Sequence, residues 1–340
     1  MTNRSLLVKD IFQNGKNGTW DDYAIKYDIK DAKTANDYYR WFIKNGAIEN
    51  QWEPSLKEDI SQELEVQELF SEDLLNSSLW KEFINFRKSK QKEDFTSGSH
   101  LILPCVHVPF ENKRLMDSCL KLISDIKPKG LHIIGDFLDM NSLSSHDKGN
   151  MPIAGITLDK EYEEGNILLD KIIRAGNFET KSFIAGNHEH RYFKHMAKSD
   201  NAKYGSALPS PFDALRLKER GFDVETDWQQ GVIYLGKYLE LCHGNFYNIH
   251  SAKKHIDVYR TSVIYAHTHR IQSYIEGGTG GFNIGWMGDD STAAFSYASR
   301  SQRESWNNGF AIVDIDENGY YFVNQIIWYN NKFYYGGKKY

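Results

Sequence analysis

One arrangement recurs along the middle of this chain: a short apolar run that ends in histidine, carboxylate, amide or thiol. Residues 101–106 lead to Cys105 and His107, 131–134 to Asp136 and Asp139, and 182–185 to Asn187, His188 and Glu189. Residues 238–242 lead to His243, and 263–266 to His267 and His269. Apolar runs bounded by turns read as strands, and the segment 113–126 between the first two reads as a helix. Later runs at 232–235, 310–315 and 320–327 follow closely on their neighbours, as in an antiparallel layer. The mixture predicts an α/β fold of stacked sheets with helices outside. Strand ends of such a domain converge on one sheet edge, where ligand sites form. Imidazole, carboxylate, amide and thiol gathered there make a metal-ligand set.

Bulk properties narrow the partners. The chain has 340 residues and a net charge of −5, so any nucleic-acid surface has to be local. No apolar run approaches the length of a membrane span, and the first ten residues lack a secretory core, so no membrane partner is predicted. The 3 cysteines are too few for a disulfide framework. A reducing cytoplasm is the expectation. Oligomeric state is not legible.

Three stretches differ in character. In 1–48, Thr19 can cap a helix through Trp20, Tyr23, Ala24 and Tyr27, with Asp22 as its capping-box partner. A break at residues 28–30 follows. Asp31 can then cap a second helix through Ala35, Tyr38, Tyr39, Trp41 and Phe42, stopped at Gly46. This small all-α domain resembles a helix-turn-helix unit, whose second helix would present Lys33, Asn36 and Arg40 to DNA. A helical cap or protein-docking module is the alternative. Residues 49–97 read as an acidic, partly helical connector, and 98–340 as the α/β domain.

The blocks Cys105-Val-His107, Gly135-Asp136-Phe-Leu-Asp139, Gly186-Asn187-His188-Glu189, His243 and Ala266-His267-Thr-His269 stand in a telling order. They resemble the signature of the calcineurin-like metallophosphoesterases: Asp-x-His, Gly-Asp-x-x-Asp, Gly-Asn-His-Asp/Glu, a lone His, then Gly-His-x-His. Each block alone is weak; all of them in order, each after a strand-like run, is strong. The resemblance implies two packed mixed β-sheets flanked by helices, preceded here by the small helical domain, and is nearest in character to bacteriophage-type members.

It also implies roles for individual residues. Cys105, His107, Asp136 and His269 would ligate one divalent metal. Asp136, Asn187, His243 and His267 would ligate a second, with Asp136 bridging. His188 matches the family's catalytic histidine, which protonates the leaving group or steadies phosphoryl oxygens. Asp139 and Glu189 would orient His188 or a ligand histidine, or simply cap loops. Two cations neutralise an anionic phosphate ester and lower the pKa of water into hydroxide. Cys105 stands where the family has Asp. A thiolate there shifts preference toward Zn²⁺ or Fe²⁺ and away from Mg²⁺, with Mn²⁺ also in range; a buried structural thiol is the alternative. Lariat-debranching enzymes of the superfamily are similar at this position, which does not carry their RNA substrate across. Ala266 in place of Gly is expected to crowd its turn.

Outside the motif, His146, Arg191 and Arg270 are candidates for contact with substrate phosphate, or ordinary surface groups. His190, His250 and His255 match no motif position. The implied reaction is hydrolysis of a phosphate ester, with DNA the favoured substrate. Small-molecule or phosphoprotein phosphatase chemistry is the alternative. A non-catalytic nucleic-acid- or protein-binding module on a disabled scaffold is a third.

Overall fold

A computed structural model describes residues 20–30, 33, 35, 95–144, 155–198 and 208–340. The chain divides into two compact units, Met1–Arg87 and Lys88–Tyr340.

In the first unit, helix α1 (Trp20–Lys26) carries Asp21 and Asp22 in its first turn and Lys26 in its last, the signs that suit the helix dipole. It buries Tyr23 and Ala24 and ends where Asp28 takes a left-handed φ of 50°. Lys33 and Ala35 are helical, the first exposed and the second buried. The rest of the expected second helix, including Asn36 and Arg40, lies outside the described residues, as does nearly all of the 49–97 stretch.

The second unit is built on two mixed sheets. Strands β1 (Gly98–Leu103), β2 (Gly130–Ile134), β3 (Thr180–Ile184) and β4 (Asp223–Glu225) run parallel. Antiparallel β10 (Gly309–Ile315) and β11 (Tyr321–Ile327) extend them to the order β11-β10-β1-β2-β3-β4. Parallel neighbours need long crossovers. Helix α2 (Lys113–Ile126) supplies one and α3 (Leu158–Ala175) the next. Asn112 caps α2 by accepting from the Leu115 N–H at 3.1 Å, and left-handed Lys127 closes it. Leu115, Met116, Cys119, Leu122 and Ile123 recur at helical spacing and are its buried face. After β3 the chain enters the short helix α4 (His190–Met196).

The second sheet holds β5 (Ile233–Leu235), β6 (Leu239–Leu241), β7 (Ser262–Tyr265), β8 (Ile271–Glu276) and β9 (Thr279–Ile284), in the order β5-β6-β7-β9-β8. The closely spaced later runs pair antiparallel as expected, β5 with β6 and β10 with β11. The helix Ser251–Tyr259 crosses over between β6 and β7, so the centre of this sheet, β6, β7 and β9, is parallel and the edge strands β5 and β8 run against it.

Strand alternation sorts the apolar residues into layers. Leu101, Leu103, Leu131, Ile133 and Phe183 face α2 and α3. Ile102, Ile134, Ile184, Ala311 and Val313 face Leu239, Leu241, Ile264, Phe282 and Ile284 of the other sheet. Val263 and Tyr265 turn outward onto Ala252 and Ile256 of the crossover helix. All five positions of β2 are buried, as suits a parallel strand covered on both faces. Each fully buried Leu or Ile contributes about 1.5–3 kcal/mol, so these layers hold the sheet edges in fixed register. Among the described residues, no helix is long and apolar enough to cross a membrane.

Candidate metal centre

Because β1, β2 and β3 are parallel, the loops that follow them leave from one edge of the first sheet. Parallel β6 and β7 deliver theirs from the second sheet. The loops are pinned to each other through the backbone. The N–H groups of Val106 and His107 both donate to the Asp136 carbonyl at 2.9 Å, and Ala266 N–H donates to the His243 carbonyl at 3.0 Å. His107, Asp136, His267 and His269 all sit in the left-handed region, with φ from 50° to 63°. Such backbone is uncommon outside Gly, Asn and Asp and concentrates at functional sites.

Glu189 explains how the Asp136 turn is held. It is fully buried, and its carboxylate accepts from the N–H groups of Asp136 (3.0 Å), Leu138 (3.0 Å) and Gly186 (2.8 Å). Glu189 is thus a backbone clamp rather than a partner of His188. Gly186 lies so close that a Cβ would come within 2.1 Å of Asp136 Oδ1, so only glycine fits. With the turn fixed, Asp136 Oδ1 accepts from the His188 N–H at 2.9 Å and Oδ2 points at His243 Nε2, 3.3 Å away.

Two donor groups share Asp136. Cys105, His107, Asp136 and His269 place ligand atoms within 4.8 Å of one another, and so do Asp136, His243 and His267. Asn187 joins the second group, its Oδ1 3.0 Å from His243 Nε2. The hydrogen bonds at the back of the rings fix what faces the centre. His243 Nδ1 donates to the Ile134 carbonyl at 2.9 Å, so Nε2 is turned toward the centre; burial disfavours charge on this ring, but Asp136 outweighs it and raises its pKa. Nε2 faces Asp136 Oδ2, Asn187 Oδ1 and His267 Nδ1, the last at 3.1 Å. His107 likewise donates from Nδ1 to Asp139 Oδ2 at 2.9 Å, leaving its Nε2 facing His269 Nε2 at 3.1 Å. Ring nitrogens that face each other this closely are satisfied by a shared proton or by a cation between them. The donor set of imidazole, carboxylate, amide and thiol fits divalent metal at both groups.

The electrostatics match. Burial, then neighbouring imidazoles, push His269 and His107 down and hold His267 down at about 3, so these rings are neutral and ligand-ready. Burial works against ionisation of Asp136, but His243, His188 and His107 keep it well below the usual carboxylate range. Burial and the charge of Asp136 push the Cys105 thiol well up in the metal-free protein; its Sγ accepts from the His267 N–H at 3.3 Å. A bound cation reverses that balance, since a coordinating thiol is deprotonated outright.

Around the first group the wall is aromatic and dry. Trp286 stacks on His269 with ring centroids 4.5 Å apart and planes 10° from parallel. Trp306 meets the same ring edge-on at 4.7 Å, and Phe295 lies 5.4 Å from His107. No sequence pattern marked these residues, since none belongs to a motif block. Their one signal is position: Trp286 follows β9 and Trp306 precedes β10.

His188 stands beside the two groups. Its Nδ1 donates to the Asp139 carbonyl at 2.6 Å and lies 3.4 Å from Asp139 Oδ2. Its Nε2 faces Arg191 Nη2 at 3.2 Å, and Arg191 Nη1 donates to the Asp139 carbonyl at 3.0 Å. Burial disfavours charge on His188 and Arg191 opposes it, yet Asp136 and Asp139 outweigh both and raise its pKa. Asp139 thus orients two histidines at once.

Other candidates separate clearly. Arg191 is part of the cluster. Arg270 instead donates from Nε to Ser305 Oγ at 3.3 Å. His255 is structural: buried, stacked on Tyr265 at 3.8 Å, and bonded to the Ser251 carbonyl. His146 lies outside the described residues. Ala266 does not crowd its turn, because the left-handed step falls on His267 and the Ala266 methyl is buried between the sheets.

No family model matches the chain. It is similar to the gene 54 protein of Mycobacterium phage D29, 23% identical over 236 residues, spanning 64% of this chain and 89% of that protein. Among solved structures it is similar to Entamoeba histolytica Vps29 complexed with Zn²⁺, at 11% identity and a TM-score of 0.38, over 69% of this chain and 96% of that one. A Streptococcus pneumoniae TIGR4 protein described as a predicted phosphoesterase is 12% identical with a TM-score of 0.32, over 73% and 99%. Likenesses this distant carry no chemistry over.

Proposed function

We propose that this chain is a metal-dependent phosphoesterase of the calcineurin-like kind, acting on phosphodiesters, with DNA as the substrate. The observation that carries the reading is the convergence of His243 Nε2, Asp136 Oδ2, Asn187 Oδ1 and His267 Nδ1, metal-ligand atoms turned toward one another. The motif order read from the sequence supports it.

Cys105, His107, Asp136 and His269 would hold one divalent ion, and Asp136, Asn187, His243 and His267 another. When bound, such ions neutralise phosphoryl charge and acidify water. The chain's own residues do the rest. Asp139 keeps His107 in the tautomer that presents Nε2 inward. Arg191 donates N–H groups toward phosphoryl oxygens, parting from His188 as the substrate phosphate takes its place. His188, fixed through Nδ1, gives a proton from Nε2 to the departing alkoxide as the P–O bond breaks. The dry wall of Trp286 and Phe295 strengthens each of these charge interactions.

The test is a turnover screen in Mn²⁺, Zn²⁺ and Fe²⁺ across aryl phosphomonoesters, aryl phosphodiesters and DNA. Diester and DNA turnover in at least one metal is expected. A preparation that binds metal and hydrolyses none of them refutes the reading.

A further inference from the structure

The proposed ligands differ in exposure. His107 and His243 are fully buried, whereas Asn187 and His267 are half-buried and mark the mouth among the described residues. Trp286 and Phe295, packed on His269 and His107, are buried. At the mouth itself stand two further rings. Trp228 is half-buried, with its centroid 6.2 Å from His267 and 6.3 Å from His243. Tyr247 is 59% exposed and 5.4 Å from His267.

Both rings are held in place. Asp227 Oδ1 accepts from the N–H groups of Gln229 (2.9 Å) and Gln230 (3.1 Å), and its carbonyl accepts from Gly231, which closes the Trp228 turn. Asn245 ties that turn to the segment carrying Tyr247: its Nδ2 donates to the Gln229 carbonyl at 2.6 Å and to Tyr259 Oη at 2.7 Å. A tryptophan and a tyrosine thus stand on braced turns beside His267, the first half-buried and the second exposed. They offer flat π-surface to whatever follows the phosphate.

We propose that Trp228 and Tyr247 form a stacking platform for the base of a nucleoside esterified to the scissile phosphate. The proposal rests on the phosphodiesterase reading and names its substrate class as nucleotidic. Both rings border His267, so a group carried on a phosphate held at the centre meets them. Stacking on aromatic side chains is tolerant of base identity, because every base has a π-face. The platform therefore selects nucleotides as a class and not a sequence.

The experiment compares thymidine 5′-(p-nitrophenyl phosphate) with methyl p-nitrophenyl phosphate, which share a leaving group, in the Mn²⁺-loaded full chain. Calorimetric dissociation constants for thymidine 5′-monophosphate, methyl phosphate and O-phospho-L-tyrosine are measured alongside. The nucleoside ester is expected to have a kcat/KM about tenfold to a hundredfold higher, the scale of one stacked base. That ratio should fall toward one in Trp228→Ala and in Tyr247→Ala, and Trp228→Phe should keep most of it. Thymidine monophosphate affinity should follow the same order. Equal rates for the two esters in wild type, or a preference that survives both Ala variants, overturns the platform. Loss of phosphotyrosine affinity rather than nucleotide affinity in Trp228→Ala also overturns it. Trp228-dependent nucleotide binding without turnover of any ester upholds the platform and refutes hydrolysis instead.

Discussion

The Nε2 atoms of His107 and His269 face each other at 3.1 Å across 162 residues of sequence, one ring delivered by each sheet. A divalent ion between them would join the sheets, so metal and stability are linked. Adding Mn²⁺ or Zn²⁺ at a hundredfold excess over Kd should stabilise the fold by about 2.7 kcal/mol for each site filled, and EDTA should reverse it. His107→Ala and His269→Ala should each remove one metal equivalent by elemental analysis and shrink the thermal shift. An unchanged Tm on metal addition counts against the centre.

His188 is held through Nδ1 and takes no place among the facing ring nitrogens, so its loss should spare the metals. His188→Gln is expected to lower kcat about 10²–10⁴-fold, the scale of a general acid, with metal content retained. The deficit should narrow on esters of p-nitrophenol, whose anion leaves without a proton. Loss of a metal equivalent instead would make His188 a ligand.

Cys105 tests ligand character directly. X-ray absorption on the zinc-loaded protein should give a Zn–S distance of about 2.3 Å. Cys105→Ser should weaken that site, since a hydroxyl is a poorer ligand than a thiolate. Cys105→Asp should restore metal and shift preference toward Mn²⁺. A Ser variant with both metals and wild-type rates rules the thiolate out.

Glu161 provides a pH signature away from the metals. Its carboxylate accepts from the N–H groups of Asn141 (2.6 Å) and Ser142 (3.2 Å), bracing the loop that follows Asp139, and burial pushes its pKa up to about 7 from 4.5. The folded state then holds a proton that the unfolded state releases. Its contribution to stability is full below pH 4.5 and is lost as pH rises through about 7, with a slope of up to about 1.4 kcal/mol per pH unit. Urea titrations of Glu161→Gln across this window should show a flatter profile than wild type. An identical slope shows that Glu161 does not titrate there.

Removal of residues 1–48 should weaken action on DNA while sparing small aryl esters. DNA affinity of the full chain should fall steeply between low and moderate salt, as phosphate contacts demand, and Lys33→Ala should reduce that slope. Equal DNA affinity with and without the segment would take it out of substrate binding.

The residues that cluster at the centre were legible because buried strands read as unbroken apolar runs and each run ended in polar chemistry. Strands β8 and β9 were not. Ile271–Glu276 lies largely at the surface and Thr279–Ile284 carries two glycines, so neither shows an apolar run. Trp228 and Tyr247 were invisible for a different reason: their place depends on how two turns are tied by Asn245, a tertiary fact with no periodicity. The role of Glu189 was half legible. Its position in the motif announced importance, but three backbone N–H groups, not a histidine, are its partners.

Strand order has a consequence for how the protein matures. β1, which carries Cys105 and His107 at its end, lies between β2 and β10, with His100 paired to Val313. A nascent chain that has emerged only as far as His269 has every proposed ligand in hand, yet the strand that flanks β1 on its other side is still to be made. Ala311 and Val313, which complete the layer between the sheets, belong to that same strand. On the proposed reading, tight metal capture would follow synthesis of the C-terminal strands, and truncation before residue 309 would leave the proposed ligands without their scaffold.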